Sequence, residues 1–145
     1  MGVAELMSSV WNDGVCDGMR RGTMIVLDFG GLALRAELRG TPTARALAEL
    51  LPIEAKVSTW GRELFFPARA EVELEADARE VVSAGELAFW PEGGYIAIGF
   101  GTTPASQGDE IRLAAPVNVF ADTADDVTRL ETVGMGAPVR MYRQD

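Results

Sequence analysis

Histidine is missing from this sequence of 145 residues, and cysteine occurs once, at Cys16. Without histidine the chain cannot build a Ser-His or Cys-His nucleophile pair, and it lacks the commonest general base near neutral pH and the commonest metal ligand. A single cysteine excludes an intramolecular disulfide and any Cys-x-x-Cys redox or zinc motif. Basic residues are in deficit, 13 against 22 acidic, for a formal charge of −9. Such a charge repels nucleic-acid phosphates and anionic lipid, so neither is expected as a partner. Long apolar runs are also lacking: nothing approaches the roughly 20 residues that cross a bilayer. The first ten residues carry neither the basic cluster nor the apolar block of a secretory signal, which makes the expected location cytoplasmic. No internal repeat, low-complexity tract or interdomain linker divides the chain, and no motif calls for a cofactor or a metal.

What is present suffices for one domain with a full core: 48% of the residues are hydrophobic, scattered in short runs. Residues 1–22 read differently from the rest. They mix small, polar and glycine residues (Asn12, Asp13, Gly14, Gly18) without a sustained period and end in Arg20-Arg21-Gly22. They are expected to form a loose extension, with Met19 or Met24 as alternative starts, although Val10 and Trp11 would favour packing on the domain. The domain itself is expected over residues 23–145.

From Met24 the pattern tightens. Residues 24–29 and 32–38 are two strand-like runs around Gly30-Gly31, a hairpin signal, and Leu32, Leu34, Ala36 and Leu38 share one face of the second. Thr41-Pro42 opens a helix, with Thr41 as N-cap and the apolar stripe Ala44, Leu47, Ala48 and Leu51, and Pro52 stops it. Period two returns at Ile53, Ala55, Val57 and Thr59, and a short aromatic strand follows at 63–66. Ala70, Val72 and Leu74 alternate with Glu71, Glu73 and Glu75, predicting a strand with one wet face. Strands are predicted at 87–90 and 95–100 around the turn Pro91-Glu92-Gly93-Gly94, and again at 117–120 and 139–142. Residues 122–133 read as a second short helix, with Asp125 and Asp126 in its first turn. About eight short strands and two short helices define a mainly β protein. Closing the sheet removes the exposed edges that so many strands would leave, so a closed eight-stranded barrel is expected.

Several blocks together resemble a known family. The segment from Thr41-Pro42-Thr43-Ala44-Arg45 to Leu50-Leu51-Pro52 is followed by Thr59-Trp60-Gly61-Arg62-Glu63-Leu64-Phe65-Phe66. Then come Gly85-Glu86-Leu87-Ala88-Phe89-Trp90-Pro91, Phe100-Gly101-Thr102-Thr103-Pro104-Ala105-Ser106 and Pro116-Val117-Asn118-Val119-Phe120. In this order they are similar to the cyclophilin-like family of small prokaryotic proteins. The resemblance implies an eight-stranded cyclophilin-type barrel. It does not imply proline isomerisation, because the segment around the arginine of true cyclophilins has no counterpart here. Asp122 follows Ala121 where the family pattern has glycine then lysine, a departure confined to local turn geometry.

The candidate site residues are Trp60, Glu63, Phe65, Trp90, Phe100, Thr103, Ser106 and Asn118, each with two readings. The aromatics fill the core or line a ligand groove; Trp60 and Trp90 suit a groove best, since each abuts a turn at the barrel rim. Glu63 shares a strand face with Phe65. If that face points inward, its carboxyl sits in an apolar mouth with a raised pKa; if outward, it is an ordinary solvated charge. Thr103, Ser106 and Asn118 offer hydroxyl and amide groups to a ligand, or bond within turns. Arg62 is a surface arginine or the stand-in for an isomerase-type group. The segment 99–106 lacks the Lys-Ser/Thr of a phosphate loop, and Asp122, Asp125 and Asp126 lack the spacing of a calcium loop. No catalytic residue is assigned. The leading expectation is a module that binds a small molecule or short peptide. A weak or divergent peptidyl-prolyl isomerase or other enzyme, and a structural protein forming a homodimer, are the alternatives.

Overall fold

A computed structural model of the protein describes residues 23–144. The expected extension over 1–22, with Cys16, lies outside the described residues. From Met24 onward local chemistry and topology agree closely. In β1 (Met24–Asp28) Ile25 and Leu27 are buried, and in β2 (Ala33–Leu38) Leu34, Ala36 and Leu38 are buried, as period two requires. The turn between them is closed by a hydrogen bond from the Phe29 amide to the Leu32 carbonyl (2.8 Å). α1 (Pro42–Ala48) starts where Thr41 accepts a hydrogen bond from the Ala44 amide (3.1 Å). It buries Ala44 and Leu47 and ends one turn before Pro52.

The next strands are β3 (Ile53–Lys56), β4 (Ser58–Thr59), β5 (Glu63–Pro67), β6 (Arg79–Val82), β7 (Glu86–Trp90), β8 (Tyr95–Gly99), β9 (Ile111–Thr123) and β10 (Pro138–Arg143). All pairings are antiparallel, in the order β3-β10-β1-β2-β9-β7-β8-β5-β4, with β6 pairing only with β9. The two ends of that path, β3 and β4, are consecutive in the chain on either side of Val57. The sheet therefore curls into a nearly closed barrel.

The strand count is ten rather than the expected eight. One predicted strand is split at Val57, whose amide and carbonyl bond Ala137 and Gly136, and β6 was not foreseen. β9 runs from 111, far before the predicted 117. Its first half pairs with β6 and its second half with β7 and β2, so it is both an arm outside the barrel and a stave of it.

Two further expectations are corrected. Residues 122–133 do not form one helix: Asp122 and Thr123 complete β9, and only Val127–Thr132 turns as a 3-10 helix, capped by the Asp126 carboxylate on the Thr128 amide (3.0 Å). The alternating run from Ala70 to Glu75 is not a strand. Its alternation is real as far as Glu73, with Ala70 and Val72 half-buried and Glu71 and Glu73 exposed, but Leu74 is also exposed and no ladder partner lies beside the run.

The barrel interior holds Ile25, Leu27, Leu34, Leu64, Phe66, Leu87, Phe89, Ile96, Ile98, Phe120 and Met141. Leu47 of α1 and Leu130 of the 3-10 helix pack onto the same core. Each such buried side chain contributes roughly 1.5–3 kcal/mol of hydrophobic stabilisation. No helix among the described residues is long and apolar enough to cross a membrane.

Candidate functional site

Strand alternation sends the other half of these residues outward. On β5, Leu64 and Phe66 enter the core while Glu63 and Phe65 face away from it. On β7 and β8, Ala88, Trp90, Tyr95 and Ala97 are likewise the outward set. The β9–β6 arm folds over this outer face, and Leu113 and Val117 pack with Val82, Ala88, Ala97 and Val119 in a second apolar cluster.

A cavity of about 150 Å³ remains between arm and barrel. Its barrel wall is Trp60, Glu63, Phe65, Trp90, Tyr95 and Ala97; its arm wall is Leu113, Ala114, Ala115 and Val117. Small residues create the space, and rings set its shape. The Trp90 and Tyr95 rings stack with centroids 6.1 Å apart and 23° between planes, and Phe65 meets Tyr95 edge-on at 5.2 Å. Glycine is required behind two of these walls. A Cβ at Gly93 would lie 2.3 Å from Cε3 of Trp90, and one at Gly99, directly opposite Glu63 in the β5–β8 ladder, would lie 2.3 Å from Cγ2 of Ile111.

Glu63 is the polar element of the cavity. It is 6% exposed, and its Oε1 atom has no hydrogen-bond partner. Burial pushes its carboxyl up to about 7. Glu63 therefore combines the two sequence readings: it has the apolar surroundings and raised pKa of the first and the outward direction of the second. The side chain faces outward from the barrel, yet it is buried, because the arm of β9 covers it. Among the described residues, Tyr95 is the other titratable side chain lining the cavity.

Four of the eight candidate residues thus converge: Trp60, Glu63, Phe65 and Trp90. The other four lie elsewhere, each held by internal contacts. Phe100 is buried against the barrel core, with the Arg62 guanidinium 5.7 Å from its ring centroid. The Thr103 hydroxyl donates to the Arg112 carbonyl, and Ser106 Oγ accepts from the Thr103 amide (2.9 Å), so both pin the loop that leads into β9.

Asn118 is fully buried. Its side chain accepts from the Glu75 amide (2.8 Å) and donates to the Glu73 carbonyl (2.9 Å) and Thr43 Oγ1 (3.0 Å). Its amide is the partner that stands in for a ladder along residues 73–75. Arg62 stays out of the cavity, paired with Glu131. Among the described residues no group of three or more His, Cys, Asp or Glu side chains is placed to hold a metal ion.

Sequence reasoning missed Tyr95, Ala97 and the whole arm wall. Tyr95 had a signal, since it is the cross-hairpin partner of Trp90 and shares its face. The arm had none, because Pro116 interrupts the run that would otherwise read as a strand.

This architecture defines a β-barrel with a covered side cavity, and comparison with known proteins supplies the class. A cyclophilin-like family model matches residues 23–142, and the chain belongs to that family. A hypothetical protein from Archaeoglobus fulgidus, solved in solution, is 33% identical over 88% of this chain and 100% of its own, with a TM-score of 0.72. The structure of McbB in complex with tryptophan is similar at 15% identity, covering 83% of this chain and 44% of that one, with a TM-score of 0.62. The latter likeness is one of fold. A comparison with curated proteins gives no match.

Proposed function

We propose that this cyclophilin-like domain binds a small ring-bearing molecule in the cavity between the barrel and the β9–β6 arm. The observation that carries this reading is the convergence of Trp60, Phe65 and Trp90 around the buried carboxyl of Glu63. Ligand sites are typically concave and apolar, with few polar groups to fix orientation. The volume suits one ring better than a peptide chain, since an apolar cavity of roughly 150 Å³ accommodates benzene. McbB, a neighbour in fold, was solved with tryptophan; the first probes here are single-ring aromatics that fit the volume and do not emit with tryptophan, such as phenol, benzyl alcohol and benzylamine. Titrating such a panel while following intrinsic fluorescence should report binding, because Trp60 and Trp90 form the walls. The response should be lost in Trp90→Ala. A protein that stays silent across the panel, or a response that survives Trp90→Ala and Trp60→Phe together, would refute the assignment.

A second reading, catalysis, is favoured by one observation: a carboxyl at about 7 suits general acid or base work near neutral pH. Arg62, the alternative isomerase-type group, is bound to Glu131 outside the cavity. A proline-isomerisation assay in which wild type and Glu63→Gln both run at background would remove this reading.

A further inference from the structure

The chemistry of the ligand can be taken one step further, on the premise that the cavity is a binding site. Glu63 is buried with an unpartnered oxygen, and among the described residues no arginine or lysine lines the cavity. The described basic residues next in sequence to its lining are committed elsewhere. Arg62 binds Glu131, and Arg112, beside Leu113 on the arm, is held by Glu80 (2.9 Å) and Glu110 (2.6 Å). Tyr95 lines the cavity with an aromatic ring and a hydroxyl, which carries no formal counter-charge of its own. Among the described residues, therefore, none supplies the counter-charge. The faces of Trp60, Phe65 and Trp90 attract cations through their ring quadrupoles, while a net charge of −9 disfavours anionic ligands at long range.

We propose that the cavity selects an organic cation: a protonated amine carried on a single ring, with Glu63 as its counter-ion and the three aromatic side chains as its walls. Such a nitrogen donates to the free carboxylate oxygen and repays part of the desolvation of Glu63, as a neutral or anionic ring cannot. Cation binding also favours the ionised carboxylate. Affinity should therefore be full above the folded-state pKa of Glu63, about 7, and decline as pH falls through it. A ligand that accepts a hydrogen bond from the protonated acid would show the opposite dependence.

Benzylamine, benzyl alcohol and benzoate, titrated into the full chain by ligand-observed NMR, form a matched test. At about pH 8 benzylamine should bind at least about tenfold more tightly than benzyl alcohol, with benzoate weakest. That advantage should shrink toward about pH 5.5, where the amine stays charged and Glu63 does not. In Glu63→Gln it should vanish at every pH, because the amide carries no charge. Equal or weaker binding of benzylamine at high pH, or a preference that persists in Glu63→Gln, overturns the cation assignment. Binding of the neutral ring without an amine advantage sinks this inference alone. Silence of all three probes sinks the binding reading with it.

Discussion

Alternate residues of the same strands build two unlike spaces. Toward the barrel axis, Leu64 and Phe66 of β5 meet Ile96 and Ile98 of β8 in a core from which charge is excluded. Toward the arm, Glu63 and Phe65 of the same β5 meet Gly99 and Ala97 of the same β8. Large branched side chains fill the first space. Small residues beside large rings leave the second partly empty. The two faces teach that burial and packing are separate properties: Glu63 is as well covered as much of the core, yet it borders a void and lacks a partner.

A second carboxylate sharpens the contrast. Glu86, on β7, receives Arg79 (2.9 Å) and Arg39 (3.2 Å), and the Arg79 hydrogen bonds lead the interactions that hold its carboxyl below the usual range. Desolvation opposes that shift at Glu86 and causes the shift at Glu63, where none of the described cations balances it. The difference between the two glutamates lies in what the surrounding fold delivers to each.

Truncation on the two sides should give the largest contrast. Phe120→Ala, on the inner face and fully buried, should cost about 3–5 kcal/mol by chemical denaturation. Phe65→Ala, half-buried at an existing cavity, should cost well under half as much. Equal costs would mean that the outer face is packed as tightly as the core.

Next in size is the effect of pH at Glu63. Its folded-state pKa is raised from 4.5 to about 7, so the folded protein holds this proton more tightly than the unfolded chain does. The destabilisation is absent below about 4.5, grows through the window between the two values, and is complete above about 7. Glu63→Gln should therefore stabilise the protein by roughly 2–3 kcal/mol at high pH and by nothing in acid, measured as the difference between the two denaturation curves across pH. A constant difference would show that Glu63 is not desolvated.

The smallest effect concerns the arm. Gly99→Ala forces Ile111 away from the sheet and should cost about 1–2 kcal/mol. Amide exchange should quicken along β6 and the first half of β9 while the interior strands stay protected. Uniform loss of protection would make arm and barrel a single cooperative unit.

Much of this was legible in the residues, and the failures have physical causes. Period two marked β2 and β3, and short apolar or aromatic runs bounded by turn residues marked β1, β5, β7, β8 and β10, because one face of each meets the core. The same period misled at residues 70–75, where alternating burial arises without a ladder and the side chain of Asn118 supplies the bonds. β6 was hidden because only Val82 of its four residues is buried, and the start of β9 because Pro116 reads as a breaker. Within the site, the grouping of Trp60, Glu63, Phe65 and Trp90 was legible from turn positions and shared faces. Phe100, Thr103, Ser106 and Asn118 were drawn into it by residue type, which says nothing about which partners a hydroxyl, an amide or a ring will find.

By itself, then, the sequence determined what local rules control: strands from alternation and from short apolar runs between turns, one helix from Thr41-Pro42, and a net charge of −9. Only the tertiary structure decided that the outer face of β5, β7 and β8 is roofed by β9 and β6. The roof comes from residues remote in the chain, and desolvation depends on whatever lies nearby in space. The environment of Glu63 could therefore be read only once the arm was in place.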